Sequence, residues 1–543
     1  MDFSNGSYRT LGVMLDMSRN AVMSSDGLKR FLPLLREMGY NCVMLYTEDT
    51  YEVNGEPYFG YMRGRYSKAE MKEIDAFATS LGMTVIPCIQ TLAHLSTIFR
   101  WEKAPRDCND ILLTDDERTY ELIDNMFATL SECFASRKIH IGMDEAVMLG
   151  RGKHLDVHGY EPVNVIMKRH LERICDIAKK YDYELMVWSD MFFRPWNDGE
   201  YFIPKCDIPQ EVVASLPQNV IPVYWDYYQS KESNYGDMLE NHRQLSNETW
   251  FAGGSWCWLG FIPFNRFTLT SMIPALNACK NHQVKDIIFT MWGDDGAECS
   301  HFSQLPSLFY LAEYAKGNTD EAKIKEKFKR FCGIDFDEFM QIDCPNDVIE
   351  YEGFPCNPSK YMLYSDCFND YLDYTIKEGG GEKYKIYAKN LRATAKKSRQ
   401  YGYVFDTASK LCDVMEIKYE LGLKTRKAYE AGDKAELKRL AENEYIEVKK
   451  RLSAFIKAFE KQWMADNKPH GFDVQEMRLG ALLYRLDSCR RRILSYVNGK
   501  TDRIEELDEK LLPFHKKEKS FQFNSAPLTA TVNSLHHNHI FSL

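Results

Sequence analysis

Eight short apolar runs, separated by amphipathic stretches of helical length, leave this chain few folds to adopt. The runs occupy residues 11–17, 42–46, 84–89, 139–143, 185–192, 220–225, 250–256 and 287–292; the stretches between them include 27–38, 68–81, 118–135, 163–180 and 267–281. A strand covered by helices on both faces reads as a nearly unbroken apolar run, so the alternation describes parallel strands joined by crossover helices. Eight such units in about 300 residues predict a closed (β/α)8 TIM barrel, here over residues 8–335. A doubly wound open sheet would use the same units, but no run leads into a glycine-rich phosphate loop of the GxGxxG kind.

A chain of 543 residues needs more than one domain. Pro345, Pro355, Pro358 and the run Gly379-Gly380-Gly381 mark residues 336–382 as a connecting or capping segment. Residues 383–500 read as an α-helical domain: Leu411, Val414, Ile417 and Leu421 share one helix face, and Leu452, Phe455, Ile456 and Phe459 share another. Such a domain packs on the barrel or makes a homodimer contact. Residues 501–543 form a polar C-terminal tail whose His536, His537 and His539 read as incidental rather than metal-ligating.

The net charge of −10, with 69 basic and 79 acidic residues in mixed order, excludes nucleic acid and anionic membranes as partners and favours a neutral one. Fifteen cysteines without a CxxC pair fit reduced thiols better than a disulfide framework or a zinc site. The first residues have neither a basic nor an apolar leader segment, and no run is long enough to span a bilayer. These features set the expectation of an unexported, cytoplasmic protein. No cofactor or metal is expected, since the barrel holds neither an HxH nor an HExxH pairing.

Barrel enzymes carry their chemistry at the carboxyl ends of the strands. The fourth run is the richest there: Lys138-Ile-His-Ile-Gly-Met-Asp-Glu-Ala146 places His140, Asp144 and Glu145 at or just past an apolar strand. Neighbouring carboxylates repel, and desolvation favours the neutral form of one, so such a pair can supply an acid and an anion at one pH. Glycosidic cleavage needs both, the acid for the leaving oxygen and the anion against charge building on the sugar. Taken alone, Asp-Glu is more often a helix cap followed by a first-turn Glu. Its surroundings decide.

His-Ile-Gly-Met-Asp-Glu-Ala resembles the H-x-G-G-D-E signature of glycoside hydrolase family 20, the β-N-acetylhexosaminidases, with Met143 in place of the usual second glycine. Leu11-Gly-Val-Met-Leu-Asp-Met-Ser-Arg-Asn20 resembles the strand-1 R-G-x-x-L-D-x-x-R-H of that family, and Gln90-Thr-Leu-Ala-His94 its strand-3 D-x-P-G-H. Met186-Val-Trp-Ser-Asp190, Val223-Tyr-Trp225 and Met291-Trp-Gly-Asp294 are similar to the segments at strands 5, 6 and 8. The phrases Leu45-Tyr-Thr-Glu-Asp-Thr-Tyr-Glu-Val and Tyr61-Met-Arg-Gly-Arg-Tyr look like the intracellular, exo-acting bacterial branch.

The resemblance implies substrate-assisted retaining hydrolysis of a small glycan ending in N-acetylhexosamine. Glu145 would be the general acid and base, and Asp144 would orient the acetamido group. Trp188, Trp225 and Trp292 would box the acetamido methyl and the sugar face, and Asp294 would bind hydroxyls; Tyr224, Trp256 and Trp258 are further pocket candidates. The family's strand-7 Tyr has no counterpart, which leaves Tyr227 or a Trp indole to replace it. The strand-1 Arg is Leu11 here, so Arg19, Arg63 or Arg65 would grip the outer hydroxyls. Glu48 and Asp49 are candidate hydroxyl acceptors. His94 keeps its strand-3 place, but its usual Asp partner is Gln90. A barrel glycosidase with acid and nucleophile on separate strands, and a sugar-binding protein that has lost turnover, are the other readings.

Overall fold

The structure, a computed structural model, describes residues 8–101, 104–350, 355–369 and 372–512. Most of the predicted tail, including His536, His537 and His539, lies outside the described residues.

Eight parallel strands close into a barrel in sequence order: β1 (Thr10–Asp16), β2 (Cys42–Tyr46), β3 (Thr84–Cys88), β4 (Lys138–His140), β5 (Glu184–Trp188), β6 (Val220–Trp225), β7 (Trp250–Gly254) and β8 (Asp286–Met291). The ring is sealed where β1 pairs with β8, Leu15 opposite Met291. An open doubly wound sheet is thereby excluded. Crossover helices follow the amphipathic stretches, as in Ser25–Met38, Lys68–Ser80, Glu117–Cys133, Val163–Lys179 and Asn265–Asn281. Their ends have local causes. Ser24 accepts from the Gly27 amide to start the first, and left-handed Gly39 stops it. Ser67 and Glu70 form a reciprocal capping box at the second.

Two strands are shorter than their apolar runs. The run 139–143 pairs only to His140, because Gly142 and Met143 take left-handed φ of 71° and 72° and the chain leaves the ladder. The run 185–192 pairs only to Trp188, and Asp190–Phe192 forms a 3-10 turn. Apolar character persists in both places because these residues stay buried beneath the barrel mouth.

Past the barrel, long helices Gly380–Lys397, Gly402–Glu430, Glu444–Asp466 and Phe472–Val497 pack together, with Leu411, Val414, Leu421, Leu452, Phe455 and Phe459 fully buried and Ile417 and Ile456 at the margin. Removing one such Phe ring would cost about 3–5 kcal/mol. Residues 336–346 and 358–364 form short helical turns, and Ile504 and Leu507 pack onto the helical domain.

The helical domain grips the barrel through buried polar groups. Asp466 accepts from Arg30, Tyr403 and Ser300. Glu298, a few residues past β8, meets Lys360 at 2.9 Å and Arg478 at 3.2 Å, all three enclosed. Gln475 donates to the Gly296 carbonyl. These contacts hold the segment after β8 in place, and that segment forms one side of the barrel mouth.

Candidate active site

At the carboxyl ends of the strands Arg19, His94, Asp144, Glu145, Trp188, Trp225, Tyr227, Tyr228, Trp258, Trp292 and Asp294 line one pocket. Its floor is aromatic. Trp188 and Trp292 lie 6.1 Å apart and tilted, the edge of Tyr46 meets Trp292 at 4.8 Å, and Tyr227 stacks on Trp225 at 5.5 Å. The buried Nε1 of Trp188 has no protein partner among the described residues.

Asp144 is buried and held on both oxygens. Gln90 Nε2 donates to Oδ1 at 2.7 Å, and His94 Nε2 stands 3.2 Å from Oδ2 as an ion pair rather than a well-aligned hydrogen bond. Gln90 is pinned in turn, donating to Tyr46 Oη and accepting from the Met143 amide. Burial alone would raise the Asp144 pKa, but the His94 charge and the Gln90 amide outweigh it and hold Asp144 below the usual carboxylate range. The partner shift agrees in sign. Burial opposes the His94 imidazolium, yet Asp144 with help from Glu48 lifts it to about 10. His140, beneath the pocket, is pushed by burial down to about 3; this neutral ring accepts from the Gly142 amide and lies 4.3 Å from Trp188.

Glu145 is half-exposed, with one oxygen 3.7 Å from His94 Nε2 and the other 3.8 Å from an Arg194 nitrogen. Its backbone has φ 52°, and its amide donates to buried Asp190 at 3.0 Å. Arg194 also donates to that Asp190 oxygen. Burial and the charges of Asp144 and Glu145 raise Asp190 well above the usual carboxylate range. Across the mouth Arg19 lies 3.5 Å from Asp16, 3.7 Å from Glu48 and 3.8 Å from Asp294.

Several sequence candidates do not reach the pocket. Tyr224 points outward, because neighbours on a strand face opposite sides; its hydroxyl donates to Asp226 and its ring packs 4.8 Å from His242. Trp256 forms a second row, stacked on Trp258 at 4.4 Å, with its indole donating to the Tyr227 carbonyl. Glu48 sits buried behind Arg19, pushed up to about 7 chiefly by burial. Asp49 pairs with Arg63, which also donates to the Ser18 and Arg19 carbonyls. Arg65 is turned into its own loop, on the Pro57 and Phe59 carbonyls. Of the three arginines proposed for Leu11's missing role, only Arg19 lines the pocket.

Tyr228, Arg194, Asp190 and Gln90 were not singled out from the sequence as site residues. Asp190 and Gln90 sit inside quoted motifs, and Tyr228 extends the aromatic run beginning at Tyr224; nothing local marks Arg194. Tyr227 is a wall residue. A Cβ at Gly254, the last residue of β7, would come within 2.9 Å of the Tyr227 ring. A bare glycine at the end of β7 therefore gives a β6-loop tyrosine the room to enter. Its hydroxyl contacts the Trp292 and Thr290 side chains.

Residues 7–234 match the model of the glycosyl hydrolase family 20 catalytic domain, and residues 335–525 that of the glycoside hydrolase 20C C-terminal domain. Among curated relatives, bovine hexosaminidase D is 25% identical over 346 residues, covering 56% of this chain and 92% of the relative. Human hexosaminidase D is 26% identical over 215 residues, covering 37% of this chain and 41% of the human protein. A solved exo β-N-acetylglucosaminidase of family 20 from Vibrio harveyi, in complex with N-acetylglucosamine, superposes with a TM-score of 0.46 at 15% identity, covering 62% of this chain and 58% of that one.

Proposed function

Since the chain belongs to glycoside hydrolase family 20, we propose that it is an exo-β-N-acetylhexosaminidase releasing terminal, non-reducing β-linked GlcNAc, with GalNAc the epimer to test beside it. One observation carries the reading: a buried Asp144, fixed as an anion, adjoins a reachable Glu145 in an aromatic-walled pocket.

In this reading the acetamido oxygen of the substrate attacks its own anomeric carbon as the glycosidic bond breaks. Glu145 delivers its proton to the departing oxygen. Asp144 faces the acetamido nitrogen and opposes the positive charge of the oxazolinium ion that results. Water then attacks the anomeric carbon, gives a proton back to Glu145 and opens the ring with the β configuration retained. The two-carboxylate covalent route does not apply, because the nucleophile comes from the substrate. Trp188, Trp225 and Trp292 would enclose the acetamido methyl, Tyr227 would donate to the acetamido oxygen, and Arg19 with Asp294 would hold the outer hydroxyls. We place the protein in the cytoplasm, supported by fifteen unpaired cysteines; no described helix is long and apolar enough to cross a membrane.

Hydrolysis of chromogenic β-GlcNAc, β-GalNAc and β-glucose by wild type and Glu145→Gln tests this. Only the acetamido sugars should be cleaved, and the variant should lose roughly 10²–10⁴-fold in rate. Equal cleavage of the glucoside, or an unimpaired variant, refutes the assignment.

A further inference from the structure

The loops after β2 and β3 and the first turns of the helix Glu117–Cys133 wall a second recess of about 440 Å³, in which Tyr58, Ile98 and Trp101 meet the charged groups of Glu56, Arg118 and Glu121. Tyr58 and Trp101 line it, and Tyr61 packs against both. Tyr58 stacks on Trp101 at 5.4 Å with 30° between planes, and Tyr61 sets its edge 5.5 Å from Trp101 and 6.1 Å from Tyr58. Tyr58 and Tyr61 are 46% and 42% exposed, far more than the buried aromatic residues of the barrel. A cluster of exposed rings with a charged rim suits a ligand that is apolar on its faces and hydroxylated at its edges, which describes a pyranose.

The loop that carries the tyrosines is braced. Arg65 grips the Pro57 and Phe59 carbonyls, Phe59 packs edge-on against Tyr51 at 5.1 Å, and Lys468 of the helical domain donates to the Arg65 carbonyl. The rings are therefore held in position before any ligand arrives, which lowers the ordering cost of binding. Their loops are also the ones that feed the pocket. His94, which stands between Asp144 and Glu145, precedes Ile98 and Trp101 on the β3 loop. On the β2 loop Arg63, two residues past Tyr61, reaches the carbonyls of Ser18 and Arg19. Glu145 marks the end of the pocket from which the leaving group departs.

We infer that Tyr58, Tyr61 and Trp101 form a stacking platform for the sugar rings of the leaving group, so that the enzyme favours oligosaccharides over simple glycosides. The inference rests on the hydrolase reading above. Its test uses the full chain with a β-linked N-acetylglucosamine trimer and with β-N-acetylglucosaminyl fluoride, whose leaving group has no ring to stack. Trp101→Ala and Tyr58→Ala should each lower kcat/KM for the trimer by about 5–10-fold and leave the fluoride within about twofold; Trp101→Phe should recover most of the loss. Equal losses on both substrates, unchanged trimer kinetics, or a wild type that cleaves the fluoride but not the trimer would overturn the platform. A wild type that cleaves neither would instead refute the hydrolase reading.

Discussion

Replacing Asp144 with Asn should release His94 from its charged state. Against the pull of burial, His94 is carried from 6.5 to about 10, with Asp144 3.2 Å away as the main cause. At about 1.4 kcal/mol per pKa unit this net displacement corresponds to about 5 kcal/mol. Coulomb's law gives a similar magnitude: opposite charges at that separation attract by about 5 kcal/mol at an effective dielectric of about 20. An Asn side chain can still accept from Gln90 but presents no anion to the imidazolium. Burial and the Arg19 charge would then be opposed only by Glu48 and the half-exposed Glu145, and His94 should titrate well below about 10. Nuclear magnetic resonance of labelled histidine ring carbons, from about pH 5 to about pH 9, would follow it directly. Wild-type His94 should hold its proton through neutrality, and the variant should release it at lower pH than wild type does.

Stability should shift in a defined direction. The elevated His94 contributes stability that is present below 6.5 and lost as pH rises toward 10, while the depressed Asp144 contributes stability lost only as pH falls through its lowered value. Thermal unfolding should therefore show wild type losing more of its margin than the variant between neutral and alkaline pH. Turnover of an acetamido glycoside should fall roughly 10²–10³-fold with binding retained. A His94 titration unchanged by the substitution refutes the coupling, and unchanged turnover removes Asp144 from the mechanism.

Asp190→Asn should lower kcat about tenfold with KM little altered, because the carboxyl oxygen that accepts from both the Glu145 amide and Arg194 is replaced by an amide while the wall of the pocket stays. Since the Asp190 pKa is raised from 3.8 to about 7, its contribution to stability is present below the lower value and lost as pH rises through the higher one, so Asp190→Asn should flatten a melting-temperature profile between mildly acidic and neutral pH. Glu298→Ala removes the buried carboxylate shared by Lys360 and Arg478 and should cost about 3–5 kcal/mol in urea unfolding. Tyr227→Phe keeps the ring over Gly254 and removes the hydroxyl, so turnover of the acetamido sugar should drop about tenfold with melting little changed.

The barrel was legible because its signal is redundant: eight apolar runs, each followed by a helix, admit one closed topology, and small errors at strand ends do not alter the count. The strand-end tryptophans were legible for a related reason, since Trp188 ends β5, Trp225 ends β6, Trp292 follows β8, and all three line the pocket. Depth was not legible. Tyr224 and Trp225 are equally aromatic neighbours, and only the pleat sends one inward and the other toward His242. Glu48, Asp49 and Arg65 have the residue types of sugar ligands, but each is taken up by a protein partner: Glu48 by Arg19, Asp49 by Arg63, and Arg65 by carbonyls of its own loop. Arg194 comes from a turn outside any recognisable pattern, and only the fold sets it against Glu145.

Adjacency in sequence does not by itself bring two carboxylates into one pocket; the backbone after β4 does. On a continuing β4, residues 144 and 145 would face opposite sides, so one carboxyl would enter the pocket and the other the helix layer. Instead β4 stops at His140, and Gly142, Met143 and Glu145 have φ of 71°, 72° and 52°. For the two side-chain-bearing residues such a conformation costs about 1–3 kcal/mol each. A Cβ at Gly142 would lie 2.1 Å from Gln90 Oε1, so that residue is also fixed by contact. What opposes the strain is visible around it: the Met143 side chain is fully buried, its amide bonds to Gln90, and the Glu145 amide bonds to Asp190. The left-handed turns thus bring both acids to one pocket, and Gln90 and Asp190 act first on the backbone that aims them.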